Sequence, residues 1–378
     1  METSHVLVRY GDIGTKSEPV RSRMINVLRQ RIVDRLEYDD LEYSKVRTMP
    51  GRILVENVES EAVEAVAETP GVASASPAKK TTPEIEVLRR EASQIEVGHS
   101  FGVDTRRSGQ HGFDSEEVNR EVGAAVEEAT GAKVDLDDPD TWINIDIRDE
   151  EAFIFTETVQ GTSGIPVGSS NTLTALISGG IDSPVAAHEV MKRGCDIKPV
   201  YFYNRPVSAE DHLMRFEASL KKLERFHPSK DWSYYVVDME EVNKELMELG
   251  SGRMLVHRYV MFCVAEELSV KDGNSGIVTG EAISQKSSQT PDNLELTSNA
   301  IDLPIHRPLL TESKIDITEK ARRIGTFEEA SIDSACRSLS PENPATRMSE
   351  NEFNNLLEKA SVEELVEKAL NNVSEEEL

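Results

Sequence analysis

The chain has 378 residues, 38% hydrophobic content and a formal net charge of −27, and this length allows two or three domains with cores of their own. No stretch approaches the roughly 20 apolar residues that span a bilayer, and the first residues lack a signal-peptide hydrophobic region, so we expect a cytoplasmic protein with no membrane partner. Three widely spaced cysteines exclude a disulfide framework and a four-cysteine zinc site.

The acidic residues, 69 Asp and Glu against 42 Lys and Arg, are spread along the whole chain. Acidity by itself argues against a nucleic-acid partner, because Lys and Arg supply most of the affinity for phosphates. Evenly distributed acidity is also typical of proteins that work at high salt. We therefore interpret the charge as halophilic and judge local basic clusters separately.

Residues 1–76 alternate in the order β-α-β-β-α-β. The expected strands and helices are 5–10, 17–35, 41–48, 52–58, 60–68 and 71–75. This order predicts a ferredoxin-like domain, a fold that says little about function.

A second segment, 77–165, is predicted to be a small α/β domain. A linker is expected at 78–83, followed by elements at 83–95, 100–106, 115–130, 142–148 and 152–159. Gly and Ser residues at 161–171 are expected to join it to a third domain, 166–378.

Strands and helices alternate in this third domain. They are expected at 173–177, 184–193, 197–203, 209–226, 232–237, 253–268 and 276–279. The alternation predicts a parallel doubly wound sheet, which binds ligands at the carboxyl ends of its strands. Residues 349–377 are expected to form a solvated acidic helix pair.

The loop Ser178-Gly179-Gly180-Ile181-Asp182-Ser183 follows the first of these strands. Its glycines let the backbone approach an anion, and its hydroxyls and the N–H groups of the next helix can donate to one. It is not a Walker A loop, since no lysine follows. It resembles the S-G-G-x-D-S loop of the ATP pyrophosphatase (PP-loop) superfamily, although a strand–turn–helix with a chance glycine pair is the alternative.

The whole chain resembles the tRNA 4-thiouridine synthetase, or tRNA sulfurtransferase, family. The segments that carry the resemblance are RYGDIGTKS at 9–17, RRSGQHGF at 106–113, the loop at 177–183, and VTGEAISQKSSQT at 278–290. It implies a ferredoxin-like domain at 1–76, a THUMP RNA-binding domain at 77–165 and a PP-loop domain at 166–378. It also implies that ATP adenylates a tRNA uridine, expected at position 8, and that sulfur then displaces AMP to leave 4-thiouridine.

The resemblance places ATP against a set of residues at the ends of the strands. They are Leu176, Ile177, Ser178, Gly179, Gly180, Asp182, Ser183, Tyr201, Phe202, Arg258, Gly280 and Gln289. Tyr201 and Phe202 are expected to form an adenine slot, or else to belong to the sheet core. Arg258 supplies charge for the phosphates unless it is a surface helix residue. Asp182 is the expected catalytic carboxylate, holding Mg²⁺ or orienting the loop.

Sulfur chemistry needs a thiol, and Cys336 is the expected catalytic one because neighbouring Arg337 favours its thiolate. The resemblance implies that it relays or resolves a persulfide. Cys195 and Cys263 are expected to be packing residues. Some relatives hold an iron–sulfur cluster with a C-x-x-C, but Cys263 is followed by Val-Ala-Glu, so no cluster is expected. No rhodanese domain is recognised, so we expect a separate sulfur donor, a persulfide carrier protein or sulfide. The family's second role in thiamine synthesis has no support in this sequence and stays open.

Basic residues concentrate in the expected THUMP domain against the acidic background. The predicted RNA-binding residues are Lys79, Lys80, Arg89, Arg90, Arg106, Arg107 and His111. His111 can stack on unpaired nucleotides or hydrogen-bond to them. Two alternatives to a tRNA thiolase stay open, namely another PP-loop adenylating enzyme and a non-catalytic tRNA-binding protein with a degenerate nucleotide fold. A homodimer also stays open.

Overall fold

The computed structural model describes residues 4–206, 211–228, 231–330, 341 and 344–378. The chain divides into two compact units, residues 1–167 and 168–378. Among the helices of the described residues, none combines the length and apolarity needed to cross a bilayer.

The N-terminal unit opens with the predicted β-α-β-β-α-β order. Its elements are β1 (His5–Tyr10), α1 (Glu18–Tyr38), β2 (Lys45–Met49), β3 (Arg52–Glu56), α2 (Ala62–Glu68) and β4 (Val72–Thr81). Strand β1 lies between β3 and β4 and is antiparallel to both. Helix α1 buries Met24, Leu28, Ile32 and Leu36, whose four-residue spacing places them on one face against this sheet.

The rest of the unit continues the same sheet. It contains α3 (Ile85–Ala92), β5 (Ser100–Ser108), α4 (Ser115–Thr130), β6 (Lys133–Val134), β7 (Thr141–Arg148), β8 (Glu151–Phe155) and β9 (Val159–Gln160). The strand order is β2-β3-β1-β4-β8-β7-β5-β6, and β9 pairs with β4. Helices α3 and α4 pack on β5 and β7 around Phe101, Val122 and Ile145.

The prediction of a linker at 78–83 is wrong for most of these residues, because β4 runs without interruption to Thr81. Residues 72–78 of this strand pair with β1, and residues 79–81 pair with β8. Two antiparallel partners in succession supply hydrogen bonds that a linker would have left to water. The predicted domain boundary at 76/77 therefore lies inside one strand.

Two groups of ion pairs join the two halves of this sheet, and the one around Asp146 is buried. Asp146 on β7 forms ion pairs with Arg52 on β3 at 2.8 Å and with Arg148 at 2.5 Å. Glu151 on β8 binds Lys80 at 2.5 Å and Arg47 on β2 at 2.6 Å. A buried carboxylate must be paired to avoid a large desolvation cost, so these pairs fix how the two halves meet.

The C-terminal unit has a six-stranded sheet within its described residues. Its elements are β10 (Thr172–Leu176), α5 (Asp182–Met191), β11 (Asp196–Tyr203), α6 (Asp211–Glu224), β12 (Ser233–Asp238), α7 (Glu240–Leu246), α8 (Arg253–Asp272), β13 (Ile277–Val278), α9 (Pro291–Ser298), β14 (Ile305–His306), α10 (Lys314–Arg323), α11 (Glu350–Lys359), α12 (Val362–Asn371) and β15 (Val373–Glu377). The order is β14-β13-β10-β11-β12-β15. The first five strands are parallel, as predicted.

The C-terminal segment differs from the solvated helix pair predicted for 349–377. Helices α11 and α12 bury Phe353, Leu365 and Ala369 in the core cluster that contains α8. Residues 373–377 form a strand, antiparallel to β12. The open edge of β12 offers unpaired backbone groups, and Lys198 binds Glu375 at 2.5 Å, so pairing outcompetes a further helical turn.

We expect Leu365→Ala to destabilise the C-terminal unit by about 2–5 kcal/mol, because it removes a fully buried side chain from this cluster. Met214→Ala is the control, since Met214 is 70% exposed and its loss should cost under about 0.5 kcal/mol. Denaturant unfolding measures both. Equal stability of the two variants would show that α12 is not part of the core.

Candidate functional site

The loop between β10 and α5 is folded around its own hydroxyl groups. Ser178 N donates to Ser183 Oγ at 2.8 Å, and Gly180 N donates to Ser178 Oγ at 3.3 Å. Helix α5 begins at Asp182, and within the described residues no side chain caps its start. The first N–H groups of a helix lack intrahelical acceptors and carry the positive end of its dipole. The loop therefore presents donors for phosphate oxygens.

Gly280 lies directly against the start of this helix. A Cβ atom on Gly280 would lie 2.7 Å from Ser183 N and 2.8 Å from the carbonyl carbon of Asp182. Both are backbone atoms that cannot swing aside. The segment after β13 can approach the loop this closely only because residue 280 is glycine.

The Asp182 carboxylate brings three segments of the chain together. Its Oδ1 lies 2.5 Å from Lys314 Nζ at the start of α10, and its Oδ2 accepts from Gln285 Nε2 at 3.0 Å. Lys314 thus places a cation beside the loop that lacks the lysine of a Walker A motif. The prediction missed Lys314, because 132 residues separate it from Asp182 and no local motif marks it.

A second charge cluster follows Gly280. The buried carboxylate of Glu281 pairs with both Arg258 and Arg307, the latter at 2.6 Å, and accepts from Thr279 Oγ1 at 3.0 Å. Two guanidinium groups on one carboxylate leave a net positive charge next to the loop, which favours phosphate binding. The structure thus places Arg258 in a buried cluster on α8, not on an open helix surface. Arg307 was not predicted, and burial lowers the pKa of its guanidinium.

The two side chains expected to form the adenine slot, Tyr201 and Phe202, are more deeply buried than an open slot requires. The rings of Tyr201 and Phe202 are both buried, and Tyr201 stacks on Phe216 with ring centroids 4.8 Å apart. These rings belong to the sheet core, the alternative noted for them. An adenine slot at this edge stays a prediction that rests on the backbone at 201–202 and at 176–177. Gln289 is buried, and its Oε1 has no hydrogen-bond partner among the described residues.

The structure describes the surroundings of Cys195 and Cys263 but not those of Cys336. Cys336 lies outside the described residues, so its predicted role stays a prediction. Burial raises the pKa of Cys263 to about 11, and it also raises the pKa of Cys195. Both are therefore protonated thiols near neutral pH and poor nucleophiles.

The basic residues predicted to bind RNA all take part in ion pairs or hydrogen bonds within the N-terminal unit. Their partners are Glu91 for Lys79 and Arg90, Glu151 for Lys80, Glu86 and Glu121 for Arg89, Asp104 for Arg106, and His111 for Arg107. His111 also contacts Asp149 O at 2.7 Å and stacks on Phe113 with centroids 5.3 Å apart. Exposed pairs are weak and exchange readily with phosphates, so RNA contact by these residues stays a prediction.

The parallel strands of the C-terminal sheet and the S-G-G-x-D-S loop after β10 define this unit as a PP-loop ATP pyrophosphatase fold. Residues 168–362 match the family described as thiamine biosynthesis protein (ThiI), 86–157 the THUMP domain and 5–76 the ThiI ferredoxin-like domain. The chain is 42% identical over 351 residues to a probable tRNA sulfurtransferase of Halobacterium salinarum, covering 90% of this chain and 89% of that protein. The chain therefore belongs to the tRNA sulfurtransferase (ThiI) family.

Two further proteins are similar over most of their length. The tRNA sulfurtransferase of Thermoplasma acidophilum is 36% identical over 371 residues, which cover 96% of this chain and 75% of that protein. A crystal structure of a 4-thiouridine synthetase–RNA complex with bound ATP has a TM-score of 0.86 at 27% identity and covers 100% of both chains.

We expect Gly280→Ala to weaken ATP binding at least about tenfold, because the new Cβ would push the backbone of residues 182–183 out of place. Gly250→Ala is the matched control, since a Cβ there meets nothing within 4 Å. Isothermal titration with ATP measures both variants. Unchanged affinity in Gly280→Ala would show that the loop is not held by this contact.

Proposed function

We propose that this chain is an ATP-dependent tRNA sulfurtransferase that adenylates O4 of a tRNA uridine, expected at position 8, and replaces that oxygen by sulfur. The observation that carries the proposal is the convergence of Gln285 and Lys314 on Asp182 at the start of the phosphate loop. The match over the full chain to a 4-thiouridine synthetase–RNA complex with bound ATP supports ATP and tRNA as its substrates.

The chemistry has two balanced steps. The uridine O4 attacks the α-phosphorus of ATP; the O4–phosphorus bond forms, pyrophosphate leaves with the bridging oxygen, and N3 gives its proton to water. Sulfide then attacks C4; the carbon–sulfur bond forms, the C4–O4 bond breaks, AMP leaves with O4, and N3 regains a proton. The loop donors and the Lys314 ammonium stabilise the charge on the departing pyrophosphate.

Mg²⁺ fits this site through one carboxylate. In the described part of the chain no three His, Cys, Asp or Glu side chains gather as metal ligands. Mg²⁺ is commonly held by one or two carboxylates together with substrate phosphates and water, so Asp182 would supply the protein ligand. The ion would neutralise phosphate charge, and Lys314 and Gln285 would orient the carboxylate that holds it.

We assign the two roles, tRNA binding and catalysis, to the predicted domains. Residues 1–76 and 77–165 serve to bind tRNA, and residues 166–378 carry the reaction. Because the substrate is tRNA, we place the activity in the cytoplasm. Sulfur comes from a separate donor. Sulfide attacks C4 directly, whereas the outer sulfur of a persulfide carrier protein passes to the Cys336 thiolate and the carrier leaves as a thiolate. Cys336 is the proposed acceptor because burial raises the pKa of both Cys195 and Cys263.

The test is thiolation of tRNA by the purified chain with ATP, Mg²⁺ and sulfide at high salt. We expect Asp182→Ala to lower the rate of pyrophosphate release at least about a hundredfold without unfolding the protein, because the carboxylate that would hold Mg²⁺ is lost. Asp292→Ala, at a half-exposed surface site, is the control and should retain the wild-type rate. Wild-type protein that binds ATP but thiolates no tRNA would refute the proposal.

We expect Cys336→Ser to leave adenylation unchanged and to block sulfur transfer from a protein persulfide, because a hydroxyl cannot accept the sulfane sulfur. Pyrophosphate release and 4-thiouridine absorbance measure the two steps separately. Cys195→Ser is the control and should transfer sulfur normally. Continued thiolation of Cys336→Ser with the persulfide donor would exclude a relay at this cysteine.

A further inference from the structure

We propose that His257 is a positioning residue for ATP, because its hydrogen bond to Asn204 holds the turn that follows β11. This inference rests on the proposed function and on the adenine slot predicted at the backbone of residues 201–202, where β11 ends. His257 does not belong to the predicted site, although its neighbour Arg258 does.

Hydrogen bonds from three different segments hold the turn at residues 203–205. They run from Met239 N to Tyr203 O at 3.0 Å, from Asn243 Nδ2 to Arg205 O at 2.9 Å, and from His257 Nε2 to Asn204 Oδ1 at 2.8 Å. The donors lie directly after β12, on α7 and on α8. Backbone that leaves a strand loses the ladder that held it, so these bonds decide the path of the turn.

The pair formed by His257 and Asn204 is buried and uncharged. His257 is 3% exposed and Asn204 is 7% exposed. Burial and the charge of Arg258 lower the pKa of His257 to about 4, so its ring is neutral near pH 7 and has one N–H. A carbonyl oxygen only accepts, so that N–H is on Nε2. Breaking a buried bond leaves both groups without water, so the pair holds the turn in one conformation.

Consecutive residues of α8 contact the two ends of the proposed ATP site. His257 binds the turn after β11, and Arg258 pairs with Glu281 in the segment after β13. That segment lies on the phosphate loop through Gly280. In the proposed complex the adenine is at the first place and the phosphates are at the second. The first turns of α8 therefore set the spacing of the two, which favours ATP binding over the chemical step as the quantity that His257 controls.

The experiment compares the wild type with His257→Leu, which removes both ring nitrogens, and with His257→Gln, whose amide N–H can still reach Asn204. We expect His257→Leu to raise the Kd for ATP, titrated without tRNA, about tenfold. The KM for ATP in pyrophosphate release should rise equally, while kcat at saturating ATP and the KM for tRNA stay within about twofold. His257→Gln should bind ATP within about twofold of the wild type, since it keeps the donor.

Asn274→Leu is the matched control for a general loss of stability. Asn274 is also buried, and its Nδ2 donates to Thr174 Oγ1 at 3.0 Å just beyond the other end of α8. It lies roughly 20 Å along the helix from His257. This variant should lower the melting temperature as His257→Leu does but leave the Kd for ATP unchanged.

A double-mutant cycle tests whether the two side chains act as a unit. Asn204→Ala should raise the Kd for ATP about tenfold, and so should the combination of Asn204→Ala with His257→Leu, because the same bond is lost in each variant.

The inference is overturned if His257→Leu binds ATP within about twofold of the wild type, if Asn274→Leu weakens ATP binding as much, or if the two substitutions of the cycle multiply to about a hundredfold. If His257→Leu does not fold, His257→Asn decides in its place, because its shorter amide stays polar but does not reach Asn204. Failure of the proposed function would be distinct, since the wild type would then bind ATP but thiolate no tRNA, whereas these Kd values are measured without tRNA.

Discussion

The approach of Gly280 to the backbone of Asp182 and Ser183 is the contact on which the proposed catalytic centre depends. It lets the segment after β13 lie on the first turn of α5, so that Gln285 reaches the Asp182 carboxylate. The neighbouring segment supplies Lys314 to the same carboxylate. Without a glycine at this point, the donors for phosphate and the cations that neutralise it would be held apart.

The charge of −27 says little about this centre, because electrostatics here act locally. Glu281 holds two arginines, and Lys314 pairs with Asp182, so three cationic side chains lie near the loop in an acidic protein. In the N-terminal unit, by contrast, a basic residue predicted to bind a ligand is paired with a carboxylate of the fold. Lys80, predicted to contact RNA, binds Glu151 in the cluster that joins the two halves of the sheet. A ligand phosphate would compete with Glu151 for this charge.

Prediction from the sequence was confirmed where a structure is encoded in consecutive residues. The β-α-β-β-α-β order, the helix Ser115–Thr130 and the alternation around the parallel sheet follow from periodicity and turn residues. It was wrong where a segment finds a distant partner. Residues 78–81 look like a linker but pair with β8, and residues 373–377 look helical but pair with β12. In both cases an open sheet edge overrides local propensity.

The sequence by itself determined the phosphate loop, the glycine at 280, the family and hence the reaction, because each depends on residue types at fixed short spacing. Only the tertiary structure decided which side chains meet at Asp182, that Tyr201 and Phe202 are core residues, and that Arg307 accompanies Arg258 on Glu281. These contacts join residues far apart in the chain. Burial and pairing of charges depend on how elements pack in three dimensions, which a local pattern does not specify.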